Sequence, residues 1–124
     1  MSLFKIGSNV LLDDCYNSSY ESIEAGLNYI KKIKSNKVLI IGDILELGKH
    51  SKKIHKKINK KIKKVNNCLI LTVGNYSKYI DGINFENSDE LIEYIKENPI
   101  NNSYIYIKGS RRMNLDKIVD YLNS

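Results

Sequence analysis

The sequence has little of what divides, staples or anchors a chain. One proline and seven glycines in 124 residues leave no Pro/Gly-rich linker, so a single domain over 1–124 is expected, large enough to bury one real core. The two cysteines, Cys15 and Cys68, form neither a metal-binding pattern nor a disulfide framework. Reduced thiols and a cytoplasmic location are the corresponding expectation. No apolar run approaches the ~20 residues of a membrane span, and no apolar stretch follows Lys5 as a signal peptide requires. Met1-Ser2-Leu3 has the form of a cloning remnant and is given no structural weight. Neither G-x-x-x-x-G-K-[ST] nor G-x-G-x-x-G occurs, which excludes the common phosphate-cradling loops.

Acid is missing from one stretch in particular. Residues 49–64 hold nine lysines and no Asp or Glu. Removing those nine from the 20 Lys and Arg leaves 11 basic residues against 14 acidic, so the whole excess of +6 sits in that segment. Ile54, Ile58, Ile62 and Val65 recur within it at helical spacing. The lysines therefore read as the solvated face of an amphipathic helix, and no nucleic-acid or membrane partner is expected.

What is present is an alternation of apolar strands and amphipathic helices. Phe4-Lys5-Ile6 and Val10-Leu11-Leu12 flank Gly7-Ser8-Asn9 as a small N-terminal hairpin. Ser18 or Ser19 starts a helix burying Ile23, Leu27, Ile30 and Ile33, and Ser18 with Glu21 has the capping-box form. Lys37–Ile41 is a continuous apolar strand. The lysine helix follows from about His50-Ser51, then a strand at Leu69–Val73, a short helix near Tyr76–Tyr79 and a short strand at Ile83–Phe85. Ser88 is the expected cap of a helix carrying Leu91, Ile92 and Ile95. Tyr104–Ile107 is the last strand, and residues 114–122 the last helix. Such alternation predicts an α/β fold: a mostly parallel sheet with helices on both faces.

Ligands of open parallel sheets bind beyond the carboxyl ends of the strands. Polar residues and glycines collect at four such ends: Asp13-Asp14-Cys15-Tyr16-Asn17, Gly42-Asp43 with Glu46 and Gly48 beyond, Gly74-Asn75, and Lys108-Gly109-Ser110-Arg111. His50 and His55 have a metal-ligand spacing, but no carboxylate supports them, and no metal site is expected. Cys15 has no histidine relay.

Three of these segments together resemble one family. Leu11-Leu12-Asp13-Asp14-Cys15-Tyr16-Asn17 looks like the D-D-x-Y-N segment opening the C-terminal domain of the Mur ligases that add D-alanyl-D-alanine. Gly42-Asp43-Ile44-Leu45-Glu46-Leu47-Gly48 is similar to their G-D-M-x-E-L-G loop, with His55 where a histidine usually follows. Lys108-Gly109-Ser110-Arg111-Arg112-Met113 resembles their K-G-S-R segment. Ser19-Tyr20 stand before Glu21, where the family often has Asn-Pro.

The resemblance implies a Rossmann-like C-terminal domain of a three-domain, ATP-dependent, amide-bond-forming ligase of peptidoglycan synthesis. Its partners would be the N-terminal and central domains of the same enzyme, a UDP-muramoyl tripeptide and D-alanyl-D-alanine. ATP and Mg2+ would serve the full enzyme, with neither held tightly here and no catalytic residue in this fragment. Asp14, Tyr16 and Asn17 would lie at the ATP edge. Asp43, Glu46, Lys108, Ser110 and Arg111 would face the dipeptide and the reacting tripeptide. Two rivals predict otherwise. A receiver domain would use Asp13-Asp14, Asp43 as phosphoacceptor and Lys108. A basic nucleic-acid module would use the lysine helix and none of the strand ends.

Overall fold

The computed structural model describes residues 2–15, 19–45 and 47–124. Six strands form one sheet in the order β1-β2-β6-β3-β4-β5. They are β1 (Ser2–Ile6), β2 (Asn9–Asp13), β3 (Asn36–Gly42), β4 (Cys68–Val73), β5 (Ile83–Phe85) and β6 (Ser103–Lys108). Only the β1–β2 pairing is antiparallel; β2–β6, β6–β3, β3–β4 and β4–β5 are parallel. The helices are α1 (Tyr20–Lys31), α2 (Ser51–Ile62), α3 (Ser88–Glu97) and α4 (Asp116–Leu122). None of the described helices is long and apolar enough to cross a membrane.

Strand alternation sorts the core into two layers. Leu12, Leu39, Ile41 and Tyr106 pack with Ile23, Leu27, Ile30, Ile58 and Ile62 of α1 and α2. Their neighbours Leu11, Val38, Ile40, Ile105 and Ile107 pack on the other side with Leu91, Ile95, Leu115 and Ile118 of α3 and α4. The central strands are therefore covered on both faces, which is why they read as unbroken apolar runs. The expected α/β sheet with helices on both faces is the observed one.

Local details differ from the sequence reading. The hairpin turn has two residues, Gly7 and Ser8, because Ile6 pairs with Asn9. Ser2 and Leu3 extend β1 against Asp13 and Leu12, so they do have a structural place. Helix α1 is capped by Ser19, whose hydroxyl accepts from Ser22 N–H while the Ser22 hydroxyl closes the box on Ser19 N–H. Ser18 lies outside the described residues, and Ser22 rather than Glu21 is the reciprocal partner. Asn87, not Ser88, caps α3 through Glu90 N–H. Ser88 instead donates to the Met113 carbonyl at 2.6 Å and ties α3 to the turn before α4. Ser, Asn and Asp are near-equivalent caps, so sequence alone could not choose between adjacent candidates.

One close approach governs how α1 sits on the sheet. A Cβ at Gly26 would fall inside the Tyr106 phenol, and Tyr106 is fully buried. Gly26→Ala should therefore be destabilising although alanine is the better helix former by ~1 kcal/mol. Overpacking of a filled core costs about 1–3 kcal/mol, and Tyr106 cannot swing away without losing its hydroxyl partner. The expected outcome is a net loss of about 2 kcal/mol, read as a lower urea midpoint with unchanged m-value; a midpoint at or above wild type would show that α1 slides freely.

Candidate functional site

Sheet order decides which chain segments meet. β6 lies between β2 and β3, so the segments after Asp13, Gly42 and Lys108 emerge side by side at one edge. Asp14 N–H continues the ladder to the Ile107 carbonyl at 2.9 Å. Ser110 N–H donates to the Asp43 carbonyl at 3.0 Å, and Asp43 N–H to the Val73 carbonyl at 3.0 Å. Four strand ends are thereby stitched into one rim.

Side-chain direction then separates these residues by role. Leu12 and Tyr106 face α1 and α2, and alternation puts Asp14 and Lys108 on that same face. Lys108 is fully buried. Its Nζ donates to Asp14 Oδ2 at 3.1 Å, and the Tyr106 hydroxyl donates to the same oxygen at 2.8 Å. Burial and the adjacent Asp14 carboxylate push the Tyr106 phenol far above its ordinary range, so it stays a protonated donor. Lys108, expected to face a substrate, has its ammonium turned inward in this domain, because a buried cation must be paired. Asp14, expected at the ATP edge, is likewise buried and serves as that counter-ion.

Asp43 is also turned inward. It is 3% exposed, and its carboxylate accepts from Tyr76 N–H at 3.0 Å and Ser77 N–H at 2.7 Å. Gly74, at φ +116, makes room for that carboxylate, which a Cβ there would strike. Asp43 therefore fastens the β4–β5 connection to the end of β3 instead of standing open to a ligand. A receiver reading fails here, since a phosphoacceptor must be reachable.

His55 holds the following loop. Its Nδ1–H donates to the Ser51 carbonyl at 2.7 Å, leaving Nε2 to accept from Ile44 N–H at 3.1 Å. Only the neutral ring can do both, because protonation would set an N–H against the Ile44 N–H. The ring is fully buried and stacks on Tyr76, centroids 5.9 Å apart. Ser110 adds a second anchor, accepting from Leu45 N–H at 2.9 Å. The burial of His55 is complete, and its bond to the loop carried no signal in the local sequence pattern.

Ser110 and Arg111 lie at the end of β6. They line a hollow of about 370 Å3 together with Asp13, Cys15, Asn114 and Asp116. Asp13 belongs to the opposite face from Asp14, beside α4. Burial, then the Asp13 carboxylate, push the Cys15 thiol well above its usual range, so it is no nucleophile. Burial raises the Cys68 thiol to about 11. Tyr16, Asn17 and Glu46 lie outside the described residues. Among the described residues, no group of three or more His, Cys, Asp or Glu could hold a metal ion.

Two outcomes test this geometry. Desolvation lowers the His55 pKa, against smaller upward effects of the Ser51 carbonyl and Asp43. The unfolded ring, near 6.5, then takes a proton first as pH falls. The neutral His55 contribution is full above about pH 6.5 and is lost below it, through the lower folded pKa. Urea midpoints of wild type and His55→Gln should converge between pH 7.5 and pH 5.5; a constant gap would remove His55 from the pH response. Separately, Lys108→Met leaves Asp14 buried without its cation and should cost about 3–5 kcal/mol. Adding Asp14→Asn should recover part of that loss, measured as a double-mutant cycle; strict additivity would mean the pair is not coupled.

Known proteins share both sequence and fold with this chain. The UDP-N-acetylmuramoyl-tripeptide–D-alanyl-D-alanine ligase of Rickettsia prowazekii is 37% identical over 128 residues, covering 96% of this chain and 28% of that protein. The ligase of the same name from Haemophilus influenzae is 30% identical over 120 residues, covering 89% of this chain and 26% of its own length. The chain thus spans under a third of the curated relatives it matches. The crystal structure of the MurF ligase from Thermotoga maritima in complex with ADP superposes with a TM-score of 0.83 at 14% identity, over 98% of this chain and 29% of that one. MurF from Acinetobacter baumannii gives 0.83 at 21% identity, over 99% and 30%. The family model of the Mur ligase glutamate ligase domain matches residues 1–121, and the chain accordingly belongs to the Mur ligase family.

Proposed function

We propose that this chain is the C-terminal domain of an ATP-dependent ligase that joins D-alanyl-D-alanine to a UDP-N-acetylmuramoyl tripeptide in cytoplasmic peptidoglycan synthesis. The observation that carries the reading is the meeting of three segments at one sheet edge. Asp13–Cys15, Gly42–Leu45 and Lys108–Arg111 lie side by side because β6 inserts between β2 and β3. Relatives carrying that ligase name match over most of this chain, and a fold neighbour was crystallised with ADP.

In such a ligase the tripeptide carboxylate takes the γ-phosphoryl group of ATP, releasing ADP. The dipeptide amine then attacks the acyl carbon and expels phosphate, leaving the amide. The role assigned to this domain is one wall of that site, between the ATP edge at residues 14–17 and the dipeptide side at residues 43–46 and 108–111. Its contribution is positional: it holds the dipeptide, orients the rim and shields a hydrolysable acyl phosphate from water. Asp14 and Asp43 are committed to Lys108 and to two amides, and no group of three or more His, Cys, Asp or Glu among the described residues could hold Mg2+. Its ligands, like the phosphate loop, are assigned to the N-terminal and central domains.

Phosphate release distinguishes the readings. With Mg-ATP, UDP-muramoyl tripeptide and D-alanyl-D-alanine, the full-length enzyme should release phosphate only when the dipeptide is present, and the 124-residue chain should release none. Amide shifts of the isolated chain on titration with Mg-ATP or dipeptide should be weak and confined to residues 13–17, 42–48 and 108–112. Tight ATP binding by the chain alone, or shifts centred on the lysine helix, would mean a complete nucleotide or polyanion binder and sink the ligase reading.

A further inference from the structure

Charge of one sign gathers where α2 meets solvent. Lys52, Lys53, Lys56, Lys57 and Lys60 of that helix are all exposed. With Lys49 of the preceding 3-10 turn they line a groove of about 650 Å3. Lys53, Lys56 and Lys60 recur at spacings of three and four, so they form one stripe along the helix. Two flanking carboxylates are already spent: Glu24 of α1 on Lys61 at 3.1 Å, and Asp81 on Lys63 at 2.8 Å. Among the described residues, none of the six groove lysines is in an ion pair. The sequence reading expected no more than a solvated face here. We propose that this face is a docking surface for an anionic phospholipid bilayer. The inference does not rest on the ligase reading.

Shape and chemistry select a surface over other polyanions. On one flank of α2, Lys57 lies 4.4 Å from the Tyr20 ring centroid and Lys61 meets Glu24, both of α1. On the other flank, Lys52 and Lys56 stand 5.5 and 5.8 Å from the Tyr79 ring centroid, and Asp81 N–H donates to Asn59 Oδ1 at 2.9 Å. A helix hemmed in on both sides presents a shallow face to a plane. It cannot enter the major groove of a duplex, where a recognition helix must lie. Single strands need open aromatic faces for stacking, and the Tyr79 ring already carries Lys52, Lys56 and Lys78. The basic groups of the face are all lysine; both arginines, Arg111 and Arg112, lie elsewhere. Ammonium groups are point charges on flexible stems and suit a diffuse anionic surface, whereas guanidinium forks suit fixed phosphates. A single nucleotide reaches only a few of these lysines at once and is not held. Ile58 and Ile62 of α2 are buried, so they do not insert among acyl chains. Attachment is therefore peripheral, reversible and electrostatic.

The test is co-sedimentation of the 124-residue chain with vesicles of phosphatidylcholine alone or mixed with phosphatidylglycerol. The chain should bind the mixed vesicles and leave the neutral ones in suspension. Raising NaCl from ~0.1 M to ~1 M cuts the screening length from ~10 Å to ~3 Å and should release it. One lysine near an anionic leaflet changes partitioning about fivefold. Lys53→Gln, Lys56→Gln and Lys60→Gln combined should therefore weaken binding by about a hundredfold. Lys96→Gln, Arg112→Gln and Lys117→Gln combined, in and beside α3 and α4, remove the same net charge and should leave binding close to wild type. Urea midpoints near wild type for both triple variants keep the comparison one of surface charge. Equal losses in the two triple variants would reduce the effect to net charge and overturn the docking face. No binding to mixed vesicles at ~0.1 M salt, or equal binding to both kinds of vesicle, overturns it too. Tighter binding to a duplex DNA oligomer than to mixed vesicles, at equal phosphate concentration, would assign the face to nucleic acid and overturn the bilayer.

Discussion

The rim depends on a buried ammonium group. Lys108 ends the central strand β6 with its side chain wholly inside the protein. An unpaired charge there would carry a desolvation penalty of several kcal/mol, so the chain must bring a carboxylate to it. Asp14 is that carboxylate, from a residue 94 positions away in sequence. The pairing fixes where β2 ends and turns toward α1. Tyr106 completes it by donating to the same oxygen, and Gly26 leaves the space the phenol requires. Removing either ion strands the other, which makes the pair a strong constraint on shape even if its net contribution to stability is small.

A second set of inward contacts complements the first. Asp43 satisfies the Tyr76 and Ser77 amides, His55 satisfies the Ile44 amide, and Ser110 satisfies Leu45. Each fastens a loop to a neighbouring strand or helix at the same edge. The backbone of residues 43–45 is thus held from three directions. These contacts make the rim rigid. That is the usual division of labour where a site must be rigid: supporting groups lock the positions, and a smaller number of open groups do the binding.

The architecture could be read from the sequence because unbroken apolar strands and 3.6-period helices leave few alternatives. The strand ends could be read too, since glycine and acid cluster after each apolar run. Direction could not. Asp13 and Asp14 are adjacent and chemically identical, yet alternation sends one to the α4 face and the other to the α1/α2 face. Whether Lys108 meets a ligand or a counter-ion depends on which strand lies beside β6, and strand order is a long-range property. The cap at Asn87 was missed by one residue, and that at Ser19 was one of two adjacent candidates, for a different reason: near-equal propensities of neighbouring residues.

The same geometry bears on the ligase reading proposed above. An acyl phosphate survives only where water is kept out, and in that reading other domains close over this rim. The described carboxylates nearest it are either occupied by the protein or placed around a hollow that also holds a guanidinium. Among the described residues no group of three or more His, Cys, Asp or Glu could hold a metal ion. What the rim does offer is rigidity on one face and mixed charge on the other. In the ligase reading proposed above, such a surface would cover an acyl phosphate formed on the other domains during attack by the amine. Rigidity matters because a nucleophile must arrive within about 3–3.5 Å of the acyl carbon, a tolerance that loose strand ends could not meet.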